Sequence, residues 1–234
     1  TASGSLAANP ALGLRAVRLC LREPSLFWPQ LRAIIRVSAY GPVRMMIPML
    51  SEIDEVHQVM DIVGTIRNEF SRRGIAYDEK MPIGGMIEVP AAAICAEDFA
   101  RELDFLSIGT NDLIQYAVAI DRVNDEVSYL YDPLNPGVLR LIATSIAAGR
   151  KLGIPVAMCG EMAGDTRYTR LLLGLGLEEF SVHPTALLEI KHILKSTSAR
   201  EAKVLAQKLL RTTAPARRKE LLASLVAPSN LLPT

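Results

Sequence analysis

The chain predicts an α/β fold, a (β/α)8 barrel of the triosephosphate-isomerase type, and three observations predict it. Short apolar runs alternate with longer amphipathic stretches, the pattern of strand–helix units around a parallel sheet. The runs are nearly continuous in apolar residues, as when both faces of a sheet are covered. Polar residues with chemical potential (Glu88, Asp112 and Cys159-Gly160-Glu161) stand at the C-terminal ends of successive runs. Convergence from several strand ends is barrel behaviour, whereas a doubly wound sheet concentrates its site at one switch point.

The elements follow in order. Pro10 opens a helical pattern carrying Leu12, Ala16, Val17 and Leu21, and after Glu23-Pro-Ser a second helix carries Leu31, Ile34, Ile35 and Val37. Val43 to Leu50 is the first strand. Ser51, followed by Glu52, Asp54 and Glu55, starts a helix to about Arg73, with acids in the first turn where the dipole favours them. Ile83 to Val89 is the second strand. Its Gly84-Gly85 pair predicts close backbone approach or curvature, and Pro90 opens the next helix. Leu103 to Ile108 is a strand broken by Gly109, and Leu113, Tyr116, Ala117 and Ile120 continue at helical spacing. A connection over residues 121–136 leads to a helix from about Gly137 to Leu152. Ile154 to Cys159 and Glu179 to Val182 are the fourth and fifth strands, with helices from about Asp165 and Thr185. Two further helices reach about Val226. Residues 1–9 read as a disordered or appended terminus, 10–226 as the barrel domain and 227–234 as a proline-bearing tail. Five strands is fewer than the eight of a barrel, so the chain reads as a barrel truncated at its N-terminal strands.

Composition excludes several function classes. With 234 residues, 50% hydrophobic and 22% charged, the chain is an ordinary globular domain with a sizeable core. Its net charge of +1 offers no broad field for nucleic acid or an anionic membrane, and no apolar run approaches the roughly 20 residues of a membrane span. Cys20, Cys95 and Cys159 are irregularly spaced, imply no disulfide framework and suit a reducing compartment, so the cytoplasm is expected.

The segment from Asp104 to Arg122 carries most of the chemistry. Free N–H groups at a helix start favour an anion. Asp112 in that position suits a divalent cation that the anion also touches, and Arg122 could close a bidentate fork on the same anion. Glu88, one β/α unit earlier, could share that cation, and two carboxylates leaving open positions suit Mg²⁺. A lone strand-end glutamate is more often a cap or ion pair. Cys159 at a strand end could act as nucleophile or proton donor, although a buried cysteine is most often a small hydrophobe. No histidine lies near it in sequence, which favours the acid role; His183 alone follows a strand, while His57 and His192 read as surface helix residues. Arg15, near a helix N-terminus, is unfavourable for the dipole and predicts an anionic partner.

Together, Asn9-Pro-Ala-Leu-Gly-Leu-Arg15, Ile47-Pro-Met49, Glu88-Val-Pro-Ala-Ala, the Asp104–Arg122 segment and Met158-Cys-Gly-Glu161 resemble the phosphoenolpyruvate-utilising enzyme family. The likeness runs from Asn9 to about Ala206. Its compact spacing favours the branch that passes phosphate to a protein histidine over the pyruvate phosphate dikinase and phosphoenolpyruvate synthase branches, and a nitrogen-regulatory member fits equally. The resemblance implies a (β/α)8 barrel with Glu88 and Asp112 as Mg²⁺ ligands. It also implies Asn111 and Asp112 backbone amides on the phosphate, Arg15 and Arg122 clamping the anion, and Cys159 as proton donor. It implies phosphoenolpyruvate and pyruvate as ligands, a phosphocarrier protein reached through other domains, and a homodimer. The family's two further arginines precede the Gly-Leu-Arg segment. Leu209-Leu-Arg-Thr-Thr213 imitates one of their motifs out of place. The isolated chain is therefore expected not to autophosphorylate and to bind phosphoenolpyruvate weakly. A non-catalytic interaction module is the competing expectation.

Overall fold

The computed structural model describes residues 10–226; the expectations for residues 1–9 and 227–234 fall outside them. A short 3₁₀ turn at Pro10–Leu12 precedes α1 (Ala16–Arg22), so the first helix starts six residues later than its apolar spacing predicts. Helix α2 (Pro24–Val37) begins with proline in its first turn, where no N–H is needed. Strand β1 is only Met45–Ile47, because Pro48 has no N–H to extend the ladder. Helix α3 (Ile53–Arg72) is capped by Glu52 rather than Ser51. The Glu55 carboxylate accepts the backbone N–H groups of Ser51 at 2.6 Å and Glu52 at 3.0 Å, closing a capping box.

Strand β2 (Ile83–Ile87) leads into two short helices, α4 (Pro90–Ile94) and α5 (Ala96–Glu102), where the sequence predicts one. Strand β3 (Phe105–Gly109) passes directly into α6 (Thr110–Ala117). Helix α7 (Pro136–Leu152) is capped by Asn135 on the Gly137 N–H at 2.8 Å and ended by Gly153 at φ 74°. Strand β4 (Val156–Cys159) is followed by the single turn α8 (Glu161–Gly164) and by α9 (Thr166–Leu175). Strand β5 (Glu179–Phe180) and helices α10 (Pro184–Lys195), α11 (Ala199–Arg211) and α12 (Pro215–Val226) complete the described chain. Helix α11 lies so close to α9 that a Cβ on Gly174 would stand 2.3 Å from the Ala202 carbonyl oxygen.

The five strands of the described residues are all parallel and lie in sequential order, β1-β2-β3-β4-β5. Each strand beside its predecessor is the connectivity of a barrel wall; a doubly wound sheet reverses direction partway. Among the described residues the sheet is open, with β1 and β5 as its edges.

The two faces of this sheet differ. Ile83, Ile87, Leu106, Ile108, Val156 and Met158 point one way and are buried in the hydrophobic core, where each large side chain contributes about 1.5–3 kcal/mol. The opposite face carries Met46, Met86, Phe105, Ser107, Ala157 and Cys159, most of them partly exposed. The apolar runs predict two covered faces; the described residues cover one. Gly84 and Gly85 meet the predicted close approach, since a Cβ on Gly84 would strike the Phe105 ring at 2.5 Å and one on Gly85 would strike Leu50 at 2.5 Å.

Candidate functional site

The C-terminal ends of β2, β3 and β4 lie side by side, and the parallel register puts Gly109 beside Cys159. Glu88, the residue after Ile87, is 7% exposed. Its carboxylate fits over Gly109, where a Cβ would stand 2.9 Å from Glu88 Oε2, so only glycine leaves it room. The backbone N–H of Met49, beyond the end of β1, donates to Glu88 Oε1 at 2.7 Å. Burial raises the Glu88 carboxyl above its ordinary range; the Met49 N–H opposes this, while the neighbouring charge of Asp112 adds to it and Arg15 offsets it.

Asp112 lies in the first turn of α6, with its carboxylate 3.3 Å from the Arg15 guanidinium. The anionic partner that Arg15 predicts at a helix N-terminus is, within the structure, this aspartate. Tyr116, one turn beyond Asp112, accepts a hydrogen bond from Arg15 Nη1 at 3.3 Å and donates to the Ala11 carbonyl at 2.5 Å. Its hydroxyl also lies 3.7 Å from the Met49 sulfur.

The loops after β3 and β4 are joined by side chains. The Thr110 hydroxyl donates to the Cys159 carbonyl at 3.0 Å, and Asn111 Oδ1 accepts the Glu161 N–H at 2.9 Å. Gly160 between them has φ 89°, a conformation open chiefly to glycine, and a Cβ there would meet Thr110 Oγ1 at 2.4 Å. The Ser107 hydroxyl donates to the Cys159 sulfur at 3.9 Å. Burial pushes the Cys159 thiol upward; Ser107 opposes the rise and the Glu88 charge adds to it. Arg122 is anchored by its N–H on Gln115 Oε1 at 2.9 Å, and its guanidinium reaches Glu161 at 3.3 Å. Tyr131 nearby is driven to about 12 by burial and by the Glu161 charge.

Among the described residues three non-glycine residues have left-handed backbone: Ala16 at φ 51°, Met49 at 58° and Ala119 at 56°. Each adjoins the site, after Arg15, at the N–H that holds Glu88, and in the turn before Arg122. Such conformations cost roughly 1–3 kcal/mol each and cluster where surrounding contacts fix a functional geometry.

Glu88 and Cys159 thus stand at the ends of β2 and β4, Asp112 follows β3 in the first turn of α6 with Arg15 beside it, and Asn111 and Arg122 both reach Glu161 after β4. His57 and His192 lie on helices α3 and α10. His183 caps α10, its Nδ1 2.9 Å from the Thr185 hydroxyl. Sequence reasoning missed Tyr116, Ser107 and Met49. Tyr116 counts there only as an apolar helix position, yet its four-residue spacing from Asp112 places both on one face. Ser107 is the lone hydroxyl in an apolar strand. The Met49 backbone leaves no signal in side-chain pattern.

Among the described residues no three or more His, Cys, Asp or Glu side chains form a metal cluster. Two carboxylates are what Mg²⁺ uses when substrate oxygens and water fill its remaining positions. The buried Glu88 carboxylate beside a second acid has the donor chemistry for that ion.

The model of the family described as PEP-utilising enzyme, PEP-binding domain, matches residues 3–199. A phosphoenolpyruvate-protein phosphotransferase of Cupriavidus necator is 48% identical over 222 residues, covering 95% of this chain and 38% of that protein. One of Bacillus subtilis is 46% identical over 202 residues, 86% of this chain and 35% of that protein. The chain therefore spans little more than a third of these relatives. A crystal structure of a citrate lyase from Burkholderia xenovorans LB400 superposes with a TM-score of 0.53 at 18% identity. It covers 86% of this chain and 67% of the citrate lyase, a likeness of fold alone. With a family match over most of its length and relatives of 46% and 48% identity, the chain belongs to the PEP-utilising enzymes as their PEP-binding domain.

Proposed function

We propose that this domain binds phosphoenolpyruvate with Mg²⁺ at the β2–β4 rim and serves the transfer of its phosphoryl group to a histidine, releasing pyruvate. The observation that carries the reading is the placement of Glu88 just past β2 and of Asp112 in the first turn of α6, just past the neighbouring β3, with Arg15 3.3 Å from Asp112. Glu88 and Asp112 would hold the Mg²⁺, which would neutralise phosphate and enolate charge.

The chain's own groups do the rest. Arg15 and Arg122 bind the anionic groups of the substrate, and the backbone N–H groups of Asn111 and Asp112 at the start of α6 face its phosphate. The P–O bond to the enol oxygen breaks as a P–N bond to the imidazole forms. The enolate left behind takes a proton on its methylene carbon from Cys159 and becomes pyruvate. A thiol pushed upward by burial stays protonated near neutrality, which suits an acid rather than a nucleophile. The name of the relatives, phosphoenolpyruvate-protein phosphotransferase, supports transfer of the phosphate to a protein. A phosphocarrier protein as partner, a homodimer and a cytoplasmic location belong to the proposal as what the sequence resemblance implies. Among the described residues no helix is long and apolar enough to cross a membrane.

The test is thermal stability with Mg²⁺ and phosphoenolpyruvate together, for the wild type and Glu88→Ala. A ligand at a hundred times its Kd stabilises by about 2.7 kcal/mol. The wild type should gain a ligand-dependent rise in Tm that Glu88→Ala lacks; equal rises in both would end the proposal.

A further inference from the structure

We propose that Tyr116 is a positioning residue for the anion site, fastening the chain that carries Arg15 onto α6 and setting the Arg15 guanidinium beside Asp112. This rests on the reading of Arg15 and Asp112 as ligand-holding groups.

Three contacts meet at one hydroxyl. Its proton goes to the Ala11 carbonyl at 2.5 Å, and its oxygen accepts from Arg15 Nη1 at 3.3 Å. The Met49 sulfur lies 3.7 Å away, on the residue whose N–H holds Glu88. Ala11 and Arg15 are more than a hundred residues from Tyr116 in sequence, and α1 itself begins only at Ala16. Arg15 is the N-cap of α1, its carbonyl accepting the Leu19 N–H at 3.3 Å, but its side chain makes no capping bond and is 42% exposed. A half-exposed arginine side chain of this kind loses much freedom when it binds an anion. The phenol removes part of that freedom beforehand, because one oxygen orients the guanidinium while one proton anchors the backbone four residues upstream. Asp112 and Tyr116 sit one turn apart on α6, so the helix presents an acid and a hydroxyl to Arg15 from a single rigid face. The aromatic ring lines a cavity of about 310 Å³ with Met49, Val89, Gln115 and Ile120. Removing the hydroxyl alone leaves that ring packing in place.

Tyr116→Phe provides two readouts. Amide hydrogen exchange across residues 11–18, without ligand, should quicken several-fold while α3 and α7 keep wild-type protection. Unchanged exchange would refute the clamp, whatever the site binds. Calorimetry with Mg²⁺ and phosphoenolpyruvate should show binding about tenfold weaker, the scale of one lost hydrogen bond to a charged group. In an Arg15→Ala background the same Tyr116→Phe change should make no further difference. An equal loss in both backgrounds would mark Tyr116 as merely structural. Absence of Mg²⁺-dependent binding in the wild type would count against the proposed function, and the exchange measurement would still decide the clamp.

Discussion

Arg44 and Glu179 stand at opposite edges of the sheet, one beside β1 and the other in β5, yet their charged groups approach to 4.0 Å. Four inter-strand gaps of about 4.8 Å would separate those edges by roughly 19 Å if the sheet were flat. Only strong curvature lets the two side chains meet across the hollow. Phe105 lies on the same face, its ring 5.7 Å from the Arg44 guanidinium. The open five-stranded sheet therefore already has the curl of a barrel wall, and that curl turns the ends of β2, β3 and β4 toward one another.

The Arg44–Glu179 pair reports this curvature rather than creating it. Both side chains are about half exposed, and such pairs contribute about 0–1 kcal/mol. Glu179→Gln should change the free energy of chemical unfolding by less than about 0.5 kcal/mol; a larger loss would make the pair a strut of the fold.

Gly160 should be far less tolerant. At φ 89°, with Thr110 Oγ1 2.4 Å from the space a Cβ would fill, Gly160→Ala combines backbone strain with a clash. A loss of about 1–3 kcal/mol in urea unfolding is expected. An alanine variant as stable as the wild type would show that the β3 and β4 loops are not locked together.

The Glu88 carboxyl sets a pH dependence with a definite sign. Its folded pKa lies above the unfolded value, so the folded state holds more protons between the two. Without Mg²⁺ its contribution to stability is therefore most favourable below the ordinary glutamate range and falls as pH rises through the raised value. Glu69, held at about 2 by Arg32 and Arg73, acts oppositely: its contribution is present above the ordinary range and is lost as pH falls through about 2. Taking the difference between wild type and Glu88→Gln cancels Glu69. That difference should turn against the wild type as pH rises from the acid range to neutrality. A flat difference would mean that Glu88 is not raised.

Cys159 and Cys95 should separate in reactivity. Cys95 is exposed, whereas Cys159 is partly buried with its thiol pushed up. Iodoacetamide near neutrality should label Cys95 first by mass spectrometry. Ser107→Ala removes a donor that favours the thiolate, so the pH midpoint for Cys159 alkylation should move higher still. A midpoint that stays put or falls would remove Ser107 from the account.

Much of the architecture was legible in local pattern. Five apolar runs mark the five parallel strands, and strand ends point to Glu88, Asp112 and Cys159, because the periodicity of burial and the chemistry of a helix start are written residue by residue. Element limits were less so: β1 stops at Pro48 and α1 starts at Ala16 because hydrogen-bond donors and backbone angles decide ends. Several partners were not legible at all. That Arg15 meets Asp112 and Tyr116, that the Met49 N–H holds Glu88, and that Ser107 reaches Cys159 depend on segments as much as 101 residues apart. What the amino-acid order determined by itself was the set of elements and the reactive groups at their ends. Which groups touch was decided only in three dimensions, because the curvature of a packed sheet is a collective outcome of twist, glycine contacts and core volume that no single stretch of residues encodes.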